Sequence, residues 1–185
     1  MMANDPNKKS PYQRLFIVIT PGNTTRSRLM AIRDDLRATS KRGNFTPPEN
    51  LHLTLAFIGD CDEKQTKAIM RAMNSIRFDP FALTVERIGK FKRDGGDIWW
   101  AGVKTTKQLT EIHDILIRRL RSEGIKVADE SYVPHITLGR EVVTNEQQWL
   151  IEPFGEPTAS MELMRSERIN GQLIYTEIYK KGAAK

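Results

Sequence analysis

Two short segments of this 185-residue chain repeat one pattern: Leu51-His52-Leu53-Thr54-Leu55 and Pro134-His135-Ile136-Thr137-Leu138. Each sets histidine, an apolar residue, threonine and leucine in succession, and two of the chain's three histidines stand in this pattern. In an extended strand, residues i and i+2 share a face. His52 and Thr54 therefore project together, as do His135 and Thr137, while Leu53, Leu55, Ile136 and Leu138 turn to the other side. Each strand anchors itself in a core and presents one imidazole and one hydroxyl. Two such strands around one point suit in-line displacement at phosphorus. One imidazole takes a proton from attacking water and the other protonates the departing oxygen; an ordinary pKa of about 6.5 lets histidine hold either state near neutrality. The hydroxyls of Thr54 and Thr137 would hold non-bridging phosphate oxygens. Arg140 would add a charge-assisted hydrogen bond to the same phosphate. A single His-x-Thr is commonplace, but the pair arises from composition alone on the order of once in ten thousand.

The elements that must position these residues follow from local pattern. Gln13 to Thr20 is apolar and β-branched and stops at Pro21-Gly22, which predicts a strand buried on both faces. Asn23 to Ser40 reads as a helix capped by Asn23 or Thr24, with Leu29, Ile32, Arg33 and Leu36 at helical spacing. Leu51 to Ile58 is the first signature strand, and Asp62 to Arg77 a second helix with Ile69, Met73 and Ile76 on one side. Phe81–Phe91 and Ile98–Val103 form a hairpin around Asp94-Gly95-Gly96. Thr105 to Ser122 is a helix striped by Leu109, Ile112, Leu116 and Leu120 and closed by Gly124. Pro134 to Arg140 is the second signature strand. A short helix is expected over Asn145 to Leu150, then a hairpin from Met161–Ser166 to Leu173–Tyr179 through Asn170-Gly171.

His135 follows His52 by 83 residues, and the same shift lays Leu15–Ile19 over Ile98–Gly102 and Leu29 over Ile112. A degenerate duplication predicts two lobes related by an approximate two-fold axis, with the signature strands facing across one cleft. The expected organisation is a polar arm over residues 1–12 and a single bilobal domain over 13–180. Composition is that of an ordinary soluble globular protein, 39% apolar and 28% charged. No apolar run reaches the length of a membrane helix, and the first residues lack the apolar core of a signal peptide. The single cysteine, Cys61, can form no internal disulfide, which fits a reducing cytoplasm. The net charge of +6 leans mildly toward anionic partners, RNA among them, and equally suits a basic surface kept for solubility.

The segments RLFIVI, PPENLHLTLAFIGD, FKRDGGDIWWAGV and YVPHITLGR, in this order, resemble bacterial RNA 2′,3′-cyclic phosphodiesterases, also named 2′-5′ RNA ligase-like proteins, of the 2H phosphoesterase superfamily. The resemblance runs from about Arg14 to Tyr179. It implies an α+β fold with two antiparallel sheets flanking the cleft and helices outside. It implies hydrolysis of 2′,3′-cyclic phosphate ends of RNA or nucleotides to 2′-phosphomonoesters, without a metal or other cofactor. Under it, His52 is general acid to the departing 3′ oxygen and His135 general base on water; Thr54, Thr137 and Arg140 hold the phosphate and Phe57 stacks on the base. From the residues alone, a pseudo-symmetric site can run either way.

Other residues admit plainer readings. Five residues along a regular strand reverses the face, so Phe57 reaches the cleft only if the strand kinks near Ala56, and otherwise joins the core. His113 lacks a following threonine and reads as a packing or helix-surface histidine. Trp99 and Trp100 read as core packing, and Tyr132 either lines the site or packs beside it. Cys61 has no histidine near it in sequence and reads as incidental. No Asp or Glu occupies either signature face, so no metal site is expected. Two function classes remain: a phosphoesterase, whether on cyclic phosphate ends, another cyclic phosphate or a 2′-5′ linkage with reversible ligation, and a nucleotide- or RNA-binding module without turnover. Nothing in the sequence calls for a protein partner or more than a monomer.

Overall fold

The computed structural model describes residues 12–128 and 131–184. The arm expected over residues 1–12 lies, except for Tyr12, outside the described residues. Among the described residues, nine strands and three α-helices follow in the order β1 (Gln13–Ile19), α1 (Asn23–Ala38), β2 (Ser40–Phe45), β3 (Leu53–Cys61), α2 (Glu63–Asn74), β4 (Phe81–Phe91), β5 (Asp97–Val103), α3 (Lys107–Ser122), β6 (His135–Thr144), β7 (Trp149–Thr158), β8 (Ser160–Ile169) and β9 (Gln172–Gly182), with one 3₁₀ turn at Pro48–Asn50. The chain is thus a mixed α+β fold with an antiparallel sheet. No helix among the described residues is long and apolar enough to cross a membrane.

β1 is buried on both faces, as its sequence requires: Leu15, Ile17 and Ile19 alternate with Phe16 and Val18, and none exceeds 4% exposure. The helices form where cap and stripe agree. Asp62 and Gln65 close a reciprocal capping box on α2, with Gln65 N donating to Asp62 Oδ1 at 2.7 Å and Asp62 N to Gln65 Oε1 at 3.0 Å. Thr106 caps α3 by accepting from Leu109 N at 3.2 Å, and Leu109, Ile112, Leu116 and Leu120 are all buried. α1 differs from expectation at its start. Gly22 is the N-cap and offers no side chain; instead Glu156 Oε2, from β7, accepts from Thr25 N at 2.8 Å. A carboxylate from a distant strand caps the helix and favourably meets the positive end of its dipole.

The strands run in the order β7-β4-β5-β6-β3-β1-β8-β9, with β2 pairing β6 off this path. Read from the centre outward, each half has a signature strand (β6 or β3), then its companion (β5 or β1), then two more. The duplication legible in the sequence thus becomes a near two-fold arrangement of the sheet. The two signature strands meet at one cross-strand pair, Leu53 with Ile136, and β2 of the first half also pairs β6, so the two expected sheets form one continuous sheet. Two strands were not foreseen. β2 runs from the end of α1 through the stretch read as a linker, and the short helix expected over Asn145 to Leu150 is absent, a loop over 145–148 leading into β7 at Trp149. Asn170-Gly171 makes the predicted turn between β8 and β9, both residues having positive φ (51° and 80°) as a hairpin turn of this type demands.

Candidate active site

The pairing of Leu53 with Ile136 fixes the site. β3 and β6 are antiparallel there, so one step to either side sets His52 opposite Thr137 and Thr54 opposite His135. In this register each histidine stands across from the threonine of the other motif. His52 stands one residue before β3, and His135 is the first residue of β6.

Both rings are anchored in the same way. His52 Nδ1 lies 2.7 Å from Asn50 O, and His135 Nδ1 lies 2.7 Å from Val133 O. A carbonyl oxygen can only accept, so in each ring Nδ1 carries hydrogen and donates. Nε2 is left as the nitrogen that takes up or gives a proton. Asn50 is itself buried and donates through Nδ2 to Leu173 O at 3.1 Å, tying this anchor to β9.

Each ring is also flanked by two aromatics. Phe16 tilts against His52 at 5.3 Å and Tyr175 meets it edge-on at 5.4 Å. Trp100 tilts against His135 at 6.1 Å and Phe91 meets it edge-on at 5.2 Å. This burial disfavours the imidazolium. Burial pushes His52 down to about 4, with the positive charges of Arg140 and His135 adding to the effect and the Asn50 carbonyl opposing it. His135 is likewise lowered by burial and by Arg140, against the Val133 carbonyl.

Phe57 and Arg140 reach the cleft through matching β-bulges. Against β1, Val18 pairs with Thr54 and Ile17 with Ala56, which leaves Leu55 as the extra residue. Against β5, Trp100 pairs with Thr137 and Trp99 with Gly139, which leaves Leu138 extra. The two bulges occupy equivalent places in the duplicated unit. Each turns two successive residues into the core, Leu55-Ala56 and Leu138-Gly139, all four of them buried. Each thereby returns the next residue to the face of the histidine and threonine. Phe57 emerges at one bulge, 53% exposed with the Arg14 guanidinium 5.2 Å over its ring. Arg140 emerges at the other, also exposed, where its charge acts on both histidines. The kink on which Phe57's place depended is present.

The bulges also make the site unequal. On the side of His135, a cavity of about 480 Å³ is lined by Thr54, Phe57, Phe91, His113, Tyr132 and His135 among others. His113 and Tyr132 stack 3.9 Å apart and within 7° of parallel, and both line this cavity. On the side of His52 stand Arg140 and Tyr175. Tyr175, Phe16 and Phe91 were not singled out in the sequence. Nothing in the terminal hairpin's pattern marks Tyr175, which acquires its place only because β9 lies beyond β8 on the sheet.

The remaining candidates are structural. Trp99 is fully buried and packs on Trp149 at 5.9 Å. Cys61 is buried, its thiol pushed up first by burial and then by the neighbouring Asp62 and Asp60 charges, the reverse of what a nucleophile needs. Among the described residues, no three His, Cys, Asp or Glu side chains are grouped to hold a metal ion.

The chain is similar to known proteins. The family described as LigT like Phosphoesterase matches residues 19–100, a span that contains the first motif. A protein of Thermotoga maritima named RNA 2′,3′-cyclic phosphodiesterase is 30% identical over 172 residues, covering 90% of this chain and 91% of its own length. One of the same name from Archaeoglobus fulgidus is 29% identical over 150 residues, covering 77% and 84%. Among solved structures, E. coli LigT complexed with 3′-AMP superimposes with a TM-score of 0.80 at 25% identity, over 95% of this chain and all of that one.

Proposed function

The chain belongs to the LigT-like phosphoesterase family, and on that premise we propose that it hydrolyses 2′,3′-cyclic phosphate ends of RNA or nucleotides to 2′-phosphomonoesters without a metal. The observation that carries this reading is the crossed pairing of the motifs, with His52 opposite Thr137 and Thr54 opposite His135. It surrounds one phosphorus with two imidazoles on opposite sides and a hydroxyl next to each. The relatives' name supports the substrate class, as does the 3′-AMP held by the E. coli neighbour, a ribose phosphate of the kind a cyclic phosphate resembles.

In the proposed reaction, His135 Nε2 takes a proton from water as the water oxygen bonds to phosphorus. The bond from phosphorus to the 3′ oxygen breaks, and His52 Nε2 delivers the proton that this oxygen needs. Thr54 and Thr137 donate to the non-bridging oxygens, and Arg140 offsets the charge that grows on them. The base lies in the cavity beside His135, against Phe57. Metal independence rests on the donor set, which is imidazole, hydroxyl and guanidinium without a carboxylate. The lone buried Cys61 suits a reducing cytoplasm, and the enzyme is read as a monomer.

The test is phosphorus NMR of a 2′,3′-cyclic nucleotide with the protein and excess EDTA. Formation of the 2′-monophosphate alone is the expected result. Binding without conversion would leave a nucleotide-binding module, and a requirement for added metal would overturn the donor-set argument.

A pH prediction follows from the lowered histidines. Turnover needs one imidazole protonated and the other neutral. In the free enzyme the singly protonated pair is most populated between the two pKa values, both below the ordinary histidine value; the deeper lowering of His52 leaves that proton mainly on His135, so the form with His52 protonated is a small and constant share of it. The optimum of kcat/KM is therefore expected in the acid range, below about pH 6.5, with a decline near tenfold per pH unit beyond the alkaline limb. In the complex, phosphate pairs with Arg140 and brings negative charge to both rings, which raises both values. The kcat profile is expected to sit at higher pH than that of kcat/KM. Coincident profiles with a neutral optimum would contradict this account.

A further inference from the structure

The site is built with near two-fold likeness, yet one oxygen of the cyclic phosphate must leave and the other stay. Something must give the substrate a direction. His52 stands across from Thr137 as His135 does from Thr54, and each ring has one tilted aromatic from the companion strand, Phe16 on β1 or Trp100 on β5. Each also has one edge-on aromatic from further out, at 5.4 Å for Tyr175 and 5.2 Å for Phe91. These outer residues come from strands that do not correspond, β9 and β4, but hold the same relation to their histidine. Their chemistry differs: Tyr175 carries a hydroxyl, and Phe91 does not.

We propose that Tyr175 is a further substrate-contacting residue of the site, its hydroxyl donating to a non-bridging phosphate oxygen on the His52 side and so fixing which ribose oxygen faces His52. Its position supports this. On the sheet, Arg14, Ser166 and Tyr175 lie in one cross-strand row, and Arg14 stands at the cleft rim over Phe57. The Tyr175 ring packs edge-on against Phe16 at 4.8 Å, which holds it beside His52. Burial raises the phenol's pKa more than the charges of Arg140 and Arg14 lower it, so the hydroxyl keeps its proton and acts as a donor near the two cations best placed to attract phosphate. One flank of the cleft then offers Arg140 and a phenol, and the other a largely apolar and aromatic cavity with Arg93 in its lining. A nucleotide placed with its base in the cavity has its phosphate directed toward Tyr175.

The inference rests on the phosphoesterase reading, and Tyr175→Phe tests it while keeping the ring that packs on His52 and Phe16. The melting temperature is expected to stay unchanged. The expected losses are about tenfold in kcat/KM, carried mainly by kcat, and severalfold in affinity for inorganic phosphate measured by calorimetry. The product should also lose regiochemical purity, with 3′-monophosphate appearing beside 2′-monophosphate. Wild-type product purity together with wild-type phosphate affinity would overturn the proposal and leave Tyr175 as packing. If the wild-type protein binds phosphate but turns over no cyclic nucleotide, the phosphoesterase reading fails instead, and Tyr175 is then judged by phosphate affinity alone.

Discussion

His52→Ala and His135→Ala are each expected to lower kcat for cyclic phosphate hydrolysis by about 10²- to 10⁴-fold, the usual contribution of a positioned acid or base. The fold should survive both changes. Each imidazole is only partly buried, and its one side-chain hydrogen bond goes to a carbonyl two residues back in its own segment. The residues that anchor the strands, Leu53, Leu55, Ile136 and Leu138, are untouched and remain buried. The double variant is expected to fall little below the worse single one, because removing either partner already disables the proton transfer they share. The check is single-turnover kinetics with thermal melts alongside. A well-folded single variant that keeps near wild-type turnover would sink the paired-histidine mechanism.

Arg140→Met should have the next largest effect, and it should show in two ways. Losing the cation beside the phosphate is expected to cost about 100-fold in kcat/KM, comparable to removing one strong donor from a preorganised site. The same change removes a positive charge that depresses both histidines. Both values should rise toward the ordinary one, and the alkaline limb of kcat/KM should move to higher pH. The sign is decisive: a cation disfavours a neighbouring imidazolium, so its removal favours protonation. Arg140→Lys keeps the charge but loses the planar fork, so the rate should fall while the limb stays in place. A residue that merely supported the fold would lower activity without moving the limb, and pH profiles of the two variants distinguish these cases.

What the sequence by itself determined was local. The His-x-Thr pair, the faces on which its members lie and the anchoring leucines all follow from a period of two. The stripes of α2 and α3 and their caps at Asp62 and Thr106 follow from a period of 3.6 and from the hydrogen bonds that helix ends require. The terminal hairpin follows from Asn170-Gly171. The duplication was legible because both copies kept the same periods, and with it came the expectation of two related lobes.

Tertiary structure decided what no period encodes. The crossed arrangement of histidine and threonine depends on one pair, Leu53 with Ile136, between strands 83 residues apart. The bulges at Leu55 and Leu138 are invisible in sequence, where Leu55-Ala56 and Leu138-Gly139 read as an ordinary continuation of each strand. They become visible only against β1 and β5, and they alone bring Phe57 and Arg140 to the cleft. β7 was hidden by Pro153, Gly155 and Pro157, residues that break an interior strand but are tolerated at the end of a sheet, where one side of the backbone needs no partner. Its Glu156 then caps α1, a bond spanning 131 residues of chain. Tyr175 stands beside His52 because β9 pairs β8, β8 pairs β1 and β1 pairs β3. The sequence could name the groups able to do the chemistry. Their arrangement around one point, and the asymmetry that gives it a direction, come from contacts between residues far apart in the chain.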